Sequence, residues 1–477
     1  MRSENVSRTV LACGVGAVLA ATALLYVPEL FGGEPRRPPG PAERAANAAH
    51  AGARAALPDL VALIGDRETW LTSHPGDEAS WAVLGAAYTE RALRRADPAD
   101  LPRAEEALKR SLAVRPAARG NTDAELGMAA LANARGDFAA GKRWGEQARA
   151  AGPKRWSAYP PLIDAYEGLG DYKAAQKATE TLAELHSGPA VSALSARLYR
   201  NRGWREDAGV AAADAVALAE SDADKAAALA RLGDLAWERG EPEEALGSYE
   251  TALRLVPDDP PSLAGRARSL AALGRTDQAV HGWQTALARQ PLPDLLLEAG
   301  ELFESLGRDG DARTLYERLR TQRLPRAEVA RGLLEADHGD PAEAVRLLRA
   351  EWARGHREVR VADALGWALF RSGEPKEALV YAKRANDEGL RSALFAYHRG
   401  EIERALEEGG PARRHLAEAL RINPYFSPLL APRAREALDA LGELPDELPK
   451  DVRPEVRQDV RPQQPKKAAQ APARKPA

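Results

Sequence analysis

The chain has 477 residues, a formal net charge of −3 and 5% aromatic residues. The near-neutral charge gives no global attraction for nucleic acid, and the single cysteine, Cys13, excludes a disulfide framework and a cysteine-based zinc cluster. Abundant alanine with few aromatics suits stacked helices packed through small side chains better than one large globular core.

Residues 1–8 carry Arg2 and Arg8 and lead into an apolar run of 19 residues, Thr9–Val27. That is close to the roughly 20 residues that cross a bilayer as a helix. Pro28, Gly32 and Gly33 end it. Three readings stand. An uncleaved anchor is favoured by the length of the run and by the lack of a small-x-small site beyond its end. A cleaved signal peptide would use Ala21-Thr22-Ala23, although Leu24–Val27 continue the apolar run. A lipoprotein would use Val10-Leu11-Ala12-Cys13, with almost no apolar stretch before it. The expected location is the cell membrane, in a single pass through residues 9–27, with the rest of the chain outside the cytoplasm. Secretion after signal cleavage is the alternative. Arg2 and Arg8 on one side and Arg36 and Arg37 on the other leave orientation open.

Residues 28–58 read as a linker, Pro-rich and extended in the first half, Ala-rich and able to begin a helix in the second. From there a periodic signal takes over. Glycines stand at 136, 170, 203, 240, 274, 307, 339 and 373, separated by 34, 33, 37, 34, 33, 32 and 34 residues. Five positions beyond most of them is an alanine: Ala175, Ala208, Ala245, Ala279, Ala312, Ala344 and Ala378, with Gly141 in the first case. Glycine ends a helix because it tolerates the left-handed backbone needed there. A small residue on the next helix lets the two approach closely. Proline closes many second helices: Pro116, Pro153, Pro257, Pro291 and Pro424.

One unit carries Trp81, Leu84, Gly85 and Tyr88, then Ala104, Leu108 and Pro116. Another carries Leu232, Gly233, Gly240, Ala245, Tyr249, Ala252 and Pro257, and a third Leu365, Gly366, Gly373, Ala378 and Ala385. This pattern and its period resemble the tetratricopeptide repeat, in a bacterial membrane-anchored type of protein. The resemblance implies an all-α fold: a right-handed superhelical solenoid of antiparallel helix pairs, with about ten repeats between Glu78 and Pro424. A helix at Asp59–Ser73 and a closing helix at Tyr425–Leu441 are expected to complete a unit spanning residues 59–443. The tail, residues 444–477, holds three similar tetrads beginning at Asp451, Glu455 and Asp459. From Lys450 it has eight basic and three acidic residues and almost nothing apolar to bury. Weak contact of this tail with anionic lipid or an envelope polymer is one reading, and a solvated tail the plainer one.

Enzyme signatures are missing from the sequence: no P-loop, H-E-x-x-H, G-x-S-x-G or paired-cysteine motif occurs. No cofactor, metal or catalytic residue is expected, and the eight histidines read as solvated surface residues. The resemblance implies that the first helix of each repeat lines a concave groove. Carried onto this chain, the groove positions include Arg197, Arg200, Asn201, Trp237, Arg268, Glu301, Glu304, Trp367, Phe370, Arg371 and Tyr397. Arginine pairs with carboxylates and aromatic faces bury apolar anchors, which suits a protein or peptide ligand. Trp367 and Phe370 could equally pack between helices, whereas Trp81 and Tyr88 read as core. The expected function is a membrane-tethered, non-enzymatic scaffold or adaptor. A narrower alternative is an assembly factor similar to those of cytochrome c maturation, suggested by His74-Pro75-Gly76-Asp77-Glu78 running on to Trp81, Leu84 and Gly85. A cryptic transferase or hydrolase is the remaining one.

Overall fold

The computed structural model describes residues 38–442. The anchor segment 9–27, the residues before it and the tail 444–477 lie outside them. Among the described residues there are 23 α-helices, two short 3₁₀ turns and no strand.

Two helices come first, α1 (Pro41–Ala51) and α2 (Leu57–Ser73). Helix α1 falls in the Ala-rich half of the stretch 28–58, which the sequence reads as a linker able to begin a helix there. Pro41 starts it at a position where a missing N–H is harmless, and Ala45 is buried against α2. The pairs that follow are α3 (Glu78–Arg95) with α4 (Asp100–Val114), α5 (Thr122–Ala134) with α6 (Phe138–Ala151), and α7 (Tyr159–Gly168) with α8 (Tyr172–Leu185). Next come α9 (Pro189–Asn201) with α10 (Arg205–Leu218), α11 (Asp222–Glu238) with α12 (Pro242–Leu255), and α13 (Pro260–Ala272) with α14 (Thr276–Arg289). The series ends with α15 (Pro293–Ser305) and α16 (Asp309–Thr321), α17 (Glu328–His338) and α18 (Pro341–Ala353), α19 (Val359–Arg371) and α20 (Pro375–Asp387), α21 (Ala393–Ala405) and α22 (Gly409–Ile422). A last helix, α23 (Leu430–Ala440), packs on α22. It starts five residues later than the sequence suggests. Pro424 and Pro428 bracket a turn, and Ser427 Oγ accepts the amides of Leu429 and Leu430.

The local reasons for these pairs are visible in the turns. Gly170 has φ +71°, closing α7, and Asp171 then caps α8 by accepting the amide of Ala174 at 3.1 Å. Such a cap is worth about 1 kcal/mol. The alanines five residues past the turn glycines, from Ala175 to Ala378, are all buried, at 2% exposure or less. Within a pair, a large side chain of the second helix fills the space above a glycine of the first. The Tyr249 ring of α12 lies against both Gly233 of α11 and Gly265 of α13, where any Cβ would collide with it. Leu, Ala and these aromatics form a series of core clusters along the array.

The array also curls back on itself. The turn inside each early pair meets the loop that joins two pairs five to six pairs later. Arg94 O accepts from Gln290 Nε2 at 2.8 Å, Gly168 O accepts the Arg357 amide at 2.7 Å, and Trp237 O accepts from Asn423 Nδ2 at 2.7 Å. The first helices of the pairs thus line an inner face within a coil whose successive turns touch.

Candidate functional site

Arg197 and Arg200 stand on α9, Trp237 on α11, Arg268 on α13, Glu301 on α15, Trp367 and Arg371 on α19, and Tyr397 on α21. All therefore occur on first helices, but their surroundings divide them. Trp367 and Tyr397 are buried, each at 3% exposure. The Trp367 ring stacks on His398 at 4.1 Å, and its Nε1 donates to Asp337 at 3.0 Å. These two aromatics are packing residues, and no ligand can reach them without displacing the core. Phe370 lies beside Trp367, with ring centres 5.2 Å apart.

The arginines remain partly open to solvent and are already paired. Arg197 Nη2 reaches Asp164 at 2.5 Å and its Nε lies 3.0 Å from Glu167, both on α7. Arg200 holds Glu238 of α11 with contacts of 2.5 and 2.8 Å. Arg268 grips Glu298 of α15 with both nitrogens of its fork, one at 2.7 Å, and lies 5.5 Å over the Trp237 ring. Arg371 pairs with Asp337 of α17 and lies over Trp367. Each pair joins the first helices of neighbouring units, so the inner face is laced by charge-assisted bonds. Burial opposes the charge on Arg197 and Arg268, but the facing carboxylates more than offset it and hold both guanidiniums above their usual range.

Glu301 is different. Burial, with Asp337 nearby, pushes its carboxyl up to about 8, so it is largely protonated at neutral pH. Its Oε2 accepts from Ser427 Oγ at 3.1 Å, a contact with the turn before α23. Glu304 accepts from the Tyr316 hydroxyl at 2.9 Å and lies 3.3 Å from His338 Nδ1.

Several cations have no ion-pair partner among the described residues, among them Lys225 and Arg231 of α11 and Arg331 of α17. Arg231 of α11 is exposed and makes no ion pair within 4.0 Å among the described residues. Crowding of the guanidinium by the surrounding chain lowers it from the usual range although the side chain keeps solvent exposure, and the positive charges of Arg197 and Arg54 act in the same direction. The negative charges of Asp234 and Asp164 act in the opposite direction. An anion entering here relieves repulsion instead of breaking a bond. Sequence reasoning passed over Arg231 because it sits one residue before the Leu-Gly landmark, outside the groove positions carried over from the family. It also missed the acidic partners Asp164, Glu238, Glu298 and Asp337. Their signal was present: acidic residues on the neighbouring first helix, 30 to 38 positions from each arginine.

The histidines also depart from expectation. His356 and His398 are buried at 1% exposure, bonded through Nδ1 to Glu351 at 2.7 Å and to Asp363 at 2.9 Å. Among the described residues, no group of three or more His, Cys, Asp or Glu side chains is placed to hold a metal ion. No helix there is long and apolar enough to cross a membrane.

With the geometry in hand, the class of repeat can be stated. Residues 226–259, which span most of α11 and all of α12, match the family model described as tetratricopeptide repeat. No curated protein matches the chain. Among solved structures, a tetratricopeptide repeat protein from Parabacteroides merdae is 20% identical, covering 53% of this chain and 98% of its own, with a TM-score of 0.33. The APC/C hetero-tetramer Cut9–Hcn1 is 17% identical over 90% of this chain and 88% of its own, with a TM-score of 0.41. Yeast Tom70 is 12% identical over 76% of this chain and 96% of its own, with a TM-score of 0.33.

Proposed function

We propose that the protein is a non-enzymatic scaffold whose inner face captures an acidic segment of a partner protein, and that residues 9–27 hold it at a membrane with the repeats outside the cytoplasm. The observation that carries the binding reading is Arg231, an exposed cation on a first helix with no ion-pair partner within 4.0 Å among the described residues. Arg197, Arg200 and Arg268 are pre-set by their carboxylate partners, so they frame the site more than they supply free charge. Trp237, half-buried under Arg268, offers an aromatic edge beside it. Aromatic and arginine side chains dominate interface hot spots. The tether rests on the 19-residue apolar run.

The test is a pulldown from membranes, with the captured protein identified by mass and its affinity then measured. Arg231→Glu should weaken capture at least about tenfold, which corresponds to about 1.4 kcal/mol. Arg254→Glu, on the exposed face of α12, should leave it unchanged. Equal affinities for both variants and the wild type would refute the inner face as the site. Carbonate extraction tests the tether, and full release of an N-terminally shortened protein would refute it.

A further inference from the structure

A cleft of about 230 Å³ opens where the turn between α5 and α6 meets the loop between α16 and α17. It is lined by Arg135 from the turn, by Gln322 and Arg323 from the loop, and by Glu328 and Arg331 from the start of α17. Three guanidiniums and one carboxylate thus share it, and their pairing differs. Arg135 is held by Glu105 at 2.7 Å. Arg323 directs Nη1 to the carbonyls of Arg320 and Gln322, at 3.1 and 3.2 Å, and has no carboxylate within 4.0 Å among the described residues. Arg331 makes neither an ion pair nor a hydrogen bond there. The carboxylate whose titration Arg331 influences, Glu343, is bound instead by Arg346 at 2.6 Å. Glu328 has Arg354 at 4.0 Å, and Arg326 of the same loop has Glu358 at 3.6 Å. Two cations of the lining, Arg323 and Arg331, are therefore left without a counter-charge. Two acceptors are unmatched as well. Gln322 Oε1 and Glu328 Oε2 are buried and have no hydrogen-bond partner among the described residues.

We propose that this cleft binds a phosphate dianion with an O–H close by, as hydrogen phosphate or as a small hydroxylated phosphate ester. Two uncompensated guanidiniums match two negative charges, and the planar fork of each suits phosphate oxygens. Leaving a buried acceptor unmatched is costly, so the orphaned oxygens of Gln322 and Glu328 favour an occupant that brings a donor. Hydrogen phosphate has such an O–H, and sulfate has the same charge without it. One water needs about 10–15 Å³ of such space, so the cleft has room for a phosphate together with a short organic group. Its lining comes from two successive turns of the coil, and the ligand joins them. The site shares no residue with the proposed partner site around Arg231 and does not depend on it.

Isothermal titration calorimetry on the full-length protein in detergent, at fixed ionic strength and at pH 8, tests this. Sodium phosphate should bind one to one. Sodium sulfate and sodium acetate should bind at least about tenfold more weakly. Arg331→Ala removes a side chain that has no polar bond to lose, so the fold should persist by circular dichroism. It should weaken phosphate at least about tenfold, and adding Arg323→Ala should abolish binding. Glu328→Gln puts a group that can donate in place of an acceptor and should bring the affinity for sulfate close to that for phosphate. Arg231→Ala should leave every affinity unchanged. Glycerol 3-phosphate separates the two sources of the anion: tighter binding than phosphate identifies an ester, and equal or weaker binding the free ion. Absence of saturable phosphate binding would overturn the proposal. So would sulfate as tight as phosphate in the wild type, or phosphate bound undiminished when Arg331 and Arg323 are both alanine. Loss of phosphate affinity in Arg231→Ala would overturn the placement in this cleft. No partner protein enters these titrations, so their failure is separate from failure of the binding reading.

Discussion

Glu301 offers a direct handle on the electrostatics of the inner face. Its carboxyl titrates at about 8 in the folded chain, against an ordinary value of 4.5. The folded state therefore binds more protons than the unfolded state between those two values. By linkage, the favourable contribution is fully present below about pH 4.5 and is lost as pH rises towards 8. Replacing the side chain by glutamine removes the charge and keeps an oxygen that can accept from Ser427. At about 1.4 kcal/mol per pH unit, the displacement sets a ceiling of about 5 kcal/mol. Glu301 is only half-buried, so water relieves much of this, and about 1–2 kcal/mol is expected at pH 9. Urea unfolding followed by circular dichroism at pH 4 and pH 9 provides the assay. Glu301→Gln should match the wild type at the lower pH and exceed it at the higher. A pH-independent difference, or a variant less stable at pH 9, would refute the argument.

Three further outcomes follow from packing and pairing. Gly265→Ala should destabilise by about 1–3 kcal/mol because its methyl meets the buried Tyr249 ring, whereas Gly247→Ala, on the open side of α12, should be neutral or slightly stabilising; thermal melts distinguish them. His398→Ala leaves the Asp363 carboxylate buried and unpaired and removes the ring stacked on Trp367, so a loss of about 3–5 kcal/mol is expected in urea titrations. Arg268→Glu sets a new carboxylate beside Glu298 and near Asp234, which should cost about 2 kcal/mol, and adding Glu298→Arg should restore most of it in a double-mutant cycle.

Much of the fold was legible before any coordinates. The period of 32 to 37 residues between glycines reports the length of a helix pair directly, and the buried alanines follow from how closely two helices must approach. Helix α1 lies in the Ala-rich half of residues 28–58, where the sequence allows a helix to begin, but its bounds were not legible because proline-rich sequence precedes it. The start of α23 was misjudged because Pro424, Ser427 and Pro428 act together as a turn, a three-residue signal easily overridden by the apolar residues around it. The inner face was legible by position but not by state. Periodicity says which helix Trp367 and Arg268 belong to, but burial depends on the stacking of the next pair. Arg268 faces Glu298 across 30 residues, and Trp367 meets His398 across 31. The contact between successive turns was not legible, since it joins residues 186 or 187 apart, the Asn423 side chain to Trp237 O and the Tyr172 hydroxyl to the Val359 amide, at positions that the period of the repeat does not relate.

The central claim is that the partner lies on the inner face near Arg231. The most direct measurement is photocrosslinking from a reactive side chain placed at Ala227, one helical turn before Arg231 on α11, compared with one at Arg254 on the exposed side of α12. In membranes containing the partner, the probe at Ala227 should yield a covalent adduct of defined mass, lost when Arg231→Glu is added. The probe at Arg254 should yield none. An adduct from Arg254 alone, or one from Ala227 that survives Arg231→Glu undiminished, would contradict the account.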